Sequence, residues 1–293
     1  MAGLAVYAAL VEPRWLQVRR KRVHIRSMSP DLEGLRIGLL SDLHLRAGRG
    51  MGVVERAIAV LEKERPELIA ITGDLAEDEE GLAAALGAVS RLRAPLGVYV
   101  VPGNHDHRTG IEVWRRAVAE REVLRDLTNR YVILDRNDVR VCIGGLDDDM
   151  EGQPRLTLPP PSSRDLTVVL AHSPDQAERC RRAYDAVDLI LSGHTHGGQV
   201  RLPGVGAPVS SARHPELYED GLRRRPWTQV YTSRGLGTTH LPVRFLSRPE
   251  VTLLELTREP RPAWPLAIKR LAGFPAQLRT YSALTPGQAR RSR

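Results

Sequence analysis

From its N-terminal end the chain alternates short apolar runs with amphipathic stretches. RVHIRSM (22–28) reads as a short strand, and LRIGLLSDLH (35–44) as an apolar strand that ends in a polar tip. Residues 52–64 place apolar side chains at helical spacing, Pro66 stops that helix, and ELIAITGD (67–74) is again a strand with a polar tip. A third round follows: 79–93 predicts a helix, PLGVYVVPGNHD (95–106) a strand, and 110–127 an amphipathic helix around Trp114, Val118 and Leu124. RYVILD and VRVCIGGLDD, joined across Arg136, Asn137 and Asp138, predict a hairpin. LTVVLAHSP (166–174) and AVDLILSGH (186–194) predict two more strands with a helix between them. GQVRL, TQVYTSRG and EVTLLEL make the last third strand-rich. Strands that first alternate with helices and then dominate predict an α/β protein, with a mixed sheet or two stacked sheets and helices outside.

Composition adds few surprises until the charge is located. The chain has 293 residues, 42% hydrophobic and 27% charged, as expected of a soluble globular protein. Aromatics at 4% argue against a platform for stacking nucleic-acid bases. The two cysteines, Cys142 and Cys180, exclude a disulfide framework or a thiolate zinc site and suit a reducing compartment. The net charge of +8 sits at the ends: residues 258–293 carry eight basic and one acidic residue, residues 12–26 six and one, which leaves the body near −4.

Apolar residues accompany both basic ends. MAGLAVYAAL opens the chain but is shorter than the roughly 20 residues that span a bilayer. In the tail, Trp264, Leu266, Ile268, Leu271 and Phe274 lie beside Lys269 and Arg270. This pairing predicts contact with an anionic membrane surface rather than with nucleic acid. Arg19-Arg20 lacks the apolar stretch of an export signal, so the expected location is cytoplasmic, peripheral on the inner face of the cell membrane. Three regions follow: an apolar and basic N-terminal segment (1–29), a main domain (30–257) and a basic, partly apolar tail (258–293).

The informative residues stand where the strands end. SDLH supplies Asp42 and His44, TGD supplies Asp74, GNHD supplies Asn104, His105 and Asp106, LAHSP supplies His172, and GHTH supplies His194 and His196. In α/β folds the strand ends meet along one edge of the sheet, where ligands bind. A single histidine at a strand end is commonly structural, but five such tips together are the pattern of a metal centre. Asp42, His44, Asp74, Asn104, His172, His194 and His196 offer only nitrogen and oxygen donors. They are too many for one tetrahedral zinc, suit two ions sharing a carboxylate, and fit Mn, Fe or Zn.

The order SDLH, GD, GNHD, H, GHTH resembles the calcineurin-like metallophosphoesterases. The flanks GHTHGGQVRLP and SRGLGTTHLPVRFLSRPEVTLLEL resemble a bacterial, membrane-associated phosphodiesterase subgroup; the likeness covers about residues 12–257. It implies an αββα sandwich of two mixed β-sheets flanked by helices. It also implies a first metal held by Asp42, His44 and His196, a bridging Asp74, and a second metal held with Asn104, His172 and His194. His105 would protonate the leaving oxygen, Asp106 would orient His105, and a hydroxide bridging the two ions would attack phosphorus. The implied substrate is a phosphodiester or pyrophosphate, with the lipid-linked UDP-2,3-diacylglucosamine as a concrete candidate. Alternatives are a nuclease or cyclic-nucleotide phosphodiesterase on the same site, or a non-enzymatic binding module.

Other polar residues have two readings each. His24, His107, His214 and His240 read as surface or supporting residues, with His240 in a segment that the resemblance places near the site. Asp147-Asp148-Asp149 reads as a loop rather than a third metal site, and Arg234 and Arg244 as surface residues or phosphate contacts. Trp15 reads as an interfacial anchor or a core residue, Trp264 as an interfacial anchor, and Cys142 as core.

Overall fold

Side chains along a strand point alternately to its two faces, and this decides the layering. The computed structural model describes residues 2–26, 28–181 and 187–259. In it, Ile37, Leu39, Leu68, Ala70 and Val101 of one sheet meet Ile143, Val168, Leu170, Leu189 and Leu191 of a second in a shared core. The intervening Leu40, Ile69, Ile71, Val98 and Val100 face outward, under helices. The fold is α/β, two mixed sheets with helices outside.

The first sheet runs β1 (Gln17–Ile25), β12 (Glu250–Arg258), β2 (Arg36–Leu40), β3 (Leu68–Thr72), β4 (Val98–Val101), β5 (Leu124–Asp126). The second runs β10 (Gly221–Arg225), β11 (Thr228–Thr232), β9 (Leu189–Ser192), β8 (Leu166–Leu170), β7 (Val139–Gly145), β6 (Tyr131–Arg136). Strands β2 to β5 are parallel, as are β7, β8, β9 and β11. The near-continuous apolar character of β3 and β8 follows, because parallel strands are covered on both faces. Helix α1 (Ala2–Val6) opens the chain; α2 (Met51–Glu64), α3 (Glu79–Val89) and α4 (Asn104–Ala119) cover the first sheet.

Several expectations need adjusting. The strand anticipated at 22–28 starts at Gln17 and pairs in parallel with β12, Gln17 opposite Glu250. Thus the segment drawn as 1–29 contributes an edge strand to the first sheet. Arg19–Arg22 charge this edge strand, which discourages pairing with another chain. Residues 8–16 are themselves stitched to the body: Arg244 N donates to Ala8 O at 2.8 Å, Ser247 N to buried Glu12 Oε1 at 2.6 Å, and Arg248 Nε to Trp15 O at 3.0 Å. The helix expected to reach 127 stops at Ala119, because Leu124 pairs with Val98 in β5. GQVRL is no strand; Gly197 and Gly198 have positive φ, and Val200 makes only an isolated bridge to Phe245. The tail residues Trp264, Leu266, Ile268, Lys269, Arg270, Leu271 and Phe274 lie outside the described residues.

Candidate metal centre

Each candidate ligand follows a parallel strand at its C-terminal end. Asp42 and His44 follow β2, Asp74 follows β3, Asn104 opens α4 after β4, His172 follows β8, and His194 and His196 follow β9. The backbone there is unusual. Asp42 (φ 51°), His44 (44°), Asp74 (53°), His194 (71°) and His196 (53°) occupy the left-handed region. For non-glycine residues this costs on the order of 1–3 kcal/mol each, strain that concentrates at functional sites. Backbone bonds hold the turns together: Asp42 N donates to Gly73 O and His44 N to Asp74 O, both at 3.0 Å. Two glycines are needed for close approach. A Cβ on Gly103 would lie 2.2 Å from Asp74 Oδ1, and one on Gly193 would lie 1.8 Å from Ser41 Oγ.

The ligand atoms of Asp42, His44 and His196 lie within 4.8 Å of one another, as do those of Asp74, His172 and His194. Asp74 stands between the groups, with Oδ2 at 3.5 Å from His44 Nε2 and 3.2 Å from His172 Nε2. Asn104 Oδ1 is 3.1 Å from His172 Nε2. All seven predicted residues are therefore brought together, and all are buried.

The donor chemistry asks for cations. His172 Nδ1 is 2.8 Å from Thr72 O, so that nitrogen carries a proton and Nε2 is the atom that faces the Asn104 and Asp74 oxygens. Likewise His44 Nδ1 is engaged by Glu77 Oε1 at 2.5 Å, and its Nε2 lies 3.0 Å from His196 Nε2. Acceptors opposed at this range need a proton or a metal between them; at the His44–His196 pair, Arg244 Nη2 donates to His196 Nδ1 at 3.1 Å, which puts that ring's proton on Nε2. Burial opposes charge on His172, yet Asp74 beside it lifts its pKa well above the ordinary imidazole value. Burial likewise opposes charge on Asp74, but His172, His44 and His105 hold its pKa well below the usual carboxylate range. His194 is pushed down by burial and His172, and His196 well down by burial, His44 and Arg244, which keeps both rings in the neutral, ligating form.

His105 borders this cluster. Glu77 Oε1 lies 2.9 Å from its Nδ1, and its Nε2 reaches Thr239 Oγ1 at 3.5 Å. Burial works against its charge, but Glu77 and Asp74 raise its pKa overall. The expectation that Asp106 orients His105 is corrected. Asp106 Oδ2 accepts from Asp74 N (2.7 Å) and Gly103 N (2.9 Å), and Oδ1 accepts from Leu75 N (2.9 Å). It clamps two ligand loops together, and burial with nearby Asp74 pushes its pKa up to about 7. Glu77, not singled out from the sequence, holds both His44 and His105. Its position three residues past Asp74, in the acid-rich GDLAEDEE, looks like an ordinary helix approach.

The remaining candidates supply no ligand atom to these groups. Asp147 and Asp148 accept backbone bonds from Asp148, Gln153, Met150 and Glu151, as a loop does. Arg234 is paired with Asp220 at 2.6 Å. Arg244 is 0% exposed, donates to the carbonyls of Gly237 and Ser247, and donates to Nδ1 of the candidate ligand His196 at 3.1 Å, so it is not a surface residue. Exposed Trp15 lies under the Arg248 guanidinium at 4.0 Å, and Cys142 is buried in β7.

The family model of the calcineurin-like phosphoesterases matches residues 35–198. The chain is 31% identical over 256 residues to the uncharacterized metallophosphoesterase YkuE of Bacillus subtilis, covering 85% of this chain and 88% of that one. It is 31% identical over 257 residues to the phosphodiesterase YaeI of Escherichia coli, covering 85% and 92%. It is 28% identical over 271 residues to a transmembrane protein with metallophosphoesterase domain from Danio rerio, covering 87% of this chain but 60% of that one.

Proposed function

This chain belongs to the calcineurin-like phosphoesterases, metal-dependent hydrolases, and from that premise we propose a two-ion enzyme that cleaves a phosphodiester or pyrophosphate bond in a lipid-linked substrate. The observation that carries the reading is Asp74, buried between two groups of imidazole and carboxylate donors. Asp42, His44 and His196 would hold one ion and Asn104, His172 and His194 the other, with Asp74 shared. Imidazole and carboxylate donors suit Mn, Fe or Zn. Two bound divalent ions neutralise phosphate oxygens and lower the pKa of water.

The chain's own residues do the rest. Asp106 keeps the Asp74 and Gly103 loops in register, which fixes the spacing of the ligand groups. Glu77 holds His105 by Nδ1, which leaves the Nε2 proton for the leaving oxygen. The relative named a phosphodiesterase supports diester cleavage. No helix among the described residues is long and apolar enough to cross a membrane. Exposed Leu4, Leu10 and Trp15 beside basic residues support peripheral attachment at the inner face of the cell membrane, and UDP-2,3-diacylglucosamine stays a candidate substrate.

Manganese-loaded protein is expected to bind about two ions per chain and to hydrolyse bis(p-nitrophenyl) phosphate. Asp74→Asn should lose metal and turnover together. His105→Ala should retain metal while kcat falls roughly 10²–10⁴-fold. A wild-type protein that binds no metal would overturn the reading.

A further inference from the structure

A cleft of about 630 Å³ opens past His44. Its wall carries Arg14, Arg46, Arg49 and Arg56, and no carboxylate. Among the described residues only Arg46 of these four meets an acid, Glu77 at 3.4 Å. The side chains of Arg14 and Arg56 donate only to the carbonyls of Leu10 and Arg14, and the Arg49 guanidinium has no partner among the described residues. The facing rim is apolar: Leu10 is 55% exposed and Leu241 is 65% exposed, and both line the same cleft.

Arg14, Arg49 and Arg56, which meet no acid among the described residues, repel each other unless an anion enters. A phosphodiester carries a single charge, which the centre itself would match. A pyrophosphate adds a second phosphoryl group one oxygen away, and Arg46, which meets the Glu77 that holds His44, brings this wall of planar, forked side chains up to the centre. We propose that this cleft binds the second phosphoryl group of an amphiphilic pyrophosphate along the arginines and the start of its apolar chain along Leu10 and Leu241. The assignment rests on the two-ion reading, with the attacked phosphorus at the centre. Hydrolysis adds one water across the P–O–P bridge and, for a pyrophosphate esterified at both ends, yields two phosphate monoesters, with no further reactant.

Calorimetric titration of the manganese-loaded full chain tests this. The probes are farnesyl methylenediphosphonate, whose P–C–P link resists hydrolysis, methylenediphosphonate alone, and farnesyl phosphate. The complete probe should bind at least tenfold tighter than either fragment. Arg49→Ala with Arg56→Ala should weaken it about tenfold and remove its advantage over farnesyl phosphate, and the paired lysine variant should recover part of the loss. Leu10→Asn with Leu241→Asn should remove its advantage over methylenediphosphonate. Affinity unchanged in the arginine pair variant, or equal for the complete probe and farnesyl phosphate, would overturn the second-anion site. Equal affinity for methylenediphosphonate would overturn the amphiphile. Hydrolysis of bis(p-nitrophenyl) phosphate by the unmodified enzyme reads the reaction separately. Arginine-dependent binding without turnover keeps the cleft and removes the hydrolase; turnover without arginine-dependent binding does the reverse.

Discussion

Glu77 divides one carboxylate oxygen between two rings, His44 Nδ1 at 2.5 Å and His105 Nδ1 at 2.9 Å. Burial alone would raise its pKa, yet the two imidazoles hold it well below the usual carboxylate range. Such a partner fixes the tautomer of a ligating histidine and raises its basicity. Glu77→Gln should therefore lower manganese affinity about 10–100-fold, read by metal titration. At saturating metal it should also lower kcat for a chromogenic diester, because His105 loses the partner that orients it. An unchanged metal affinity would show that His44 is positioned by packing alone. The ligands themselves were legible in the sequence, because Asp, Asn and His recur at the ends of apolar strands. Glu77 was not, since its role depends on how the chain turns after Asp74. Asp106 is near the chemistry, as its motif implies, but does not act on its neighbour in sequence, His105. Besides the bond from Gly103 N, its bonds run to backbone 31 or 32 residues away, a distance no local motif reveals.

Helix α4 begins within the GNHD turn, so it carries site residues in its first turn and a structural tie in the same turn. His107 Nε2 lies 2.7 Å from Asp147 Oδ1, joining α4 to the loop after β7. Burial opposes charge on His107, but Asp147 raises its pKa; burial also opposes charge on Asp147, and His107 with backbone donors lowers its pKa. The two signs define a window. The raised histidine contributes stability that is fully present below its unfolded pKa, about 6.5, and is lost as pH rises through the folded value. The depressed carboxylate contributes stability present above its unfolded pKa, about 3.9, and lost as pH falls. His107→Gln should thus lower Tm most between about pH 4.5 and 6.5, by roughly 3–6 °C for a charged hydrogen bond in a chain this size. As pH rises through the raised folded pKa the deficit should shrink, measured by thermal melts of both proteins in matched buffers. Element types were largely readable from periodicity, whereas ends and edges were not. The GLRRR of β10 has no apolar alternation because it is an edge strand, and β5 spans only Leu124–Asp126.

At the scale of the molecule, the stacking of two sheets with helices outside was open in the strand pattern, which allowed one mixed sheet as well. The choice depends on contacts such as Leu39 and Ala70 against Val168 and Leu189, far apart in sequence. The basic character is also a property of the whole. Residues 260–293 hold seven basic and no acidic residues, so without them the net charge falls from +8 to about +1. The compact unit Met1–Glu259 contains all twelve strands named above and every proposed ligand. A chain ending at Glu259 should therefore keep its metal and its turnover of a soluble diester. Each basic residue near an anionic leaflet contributes about 1 kcal/mol before screening. Binding of the shortened chain to phosphatidylglycerol vesicles should then be at least about tenfold weaker at 0.1 M salt, with a shallower salt dependence carried by the basic residues of 12–26. Leu4→Asn with Leu10→Asn should instead weaken binding to anionic and zwitterionic vesicles alike, because those exposed side chains contribute apolar burial and no charge. Co-sedimentation of the full chain and both variants separates the two contributions. If all three bind vesicles equally, attachment through the ends is wrong and the basic tail acts elsewhere.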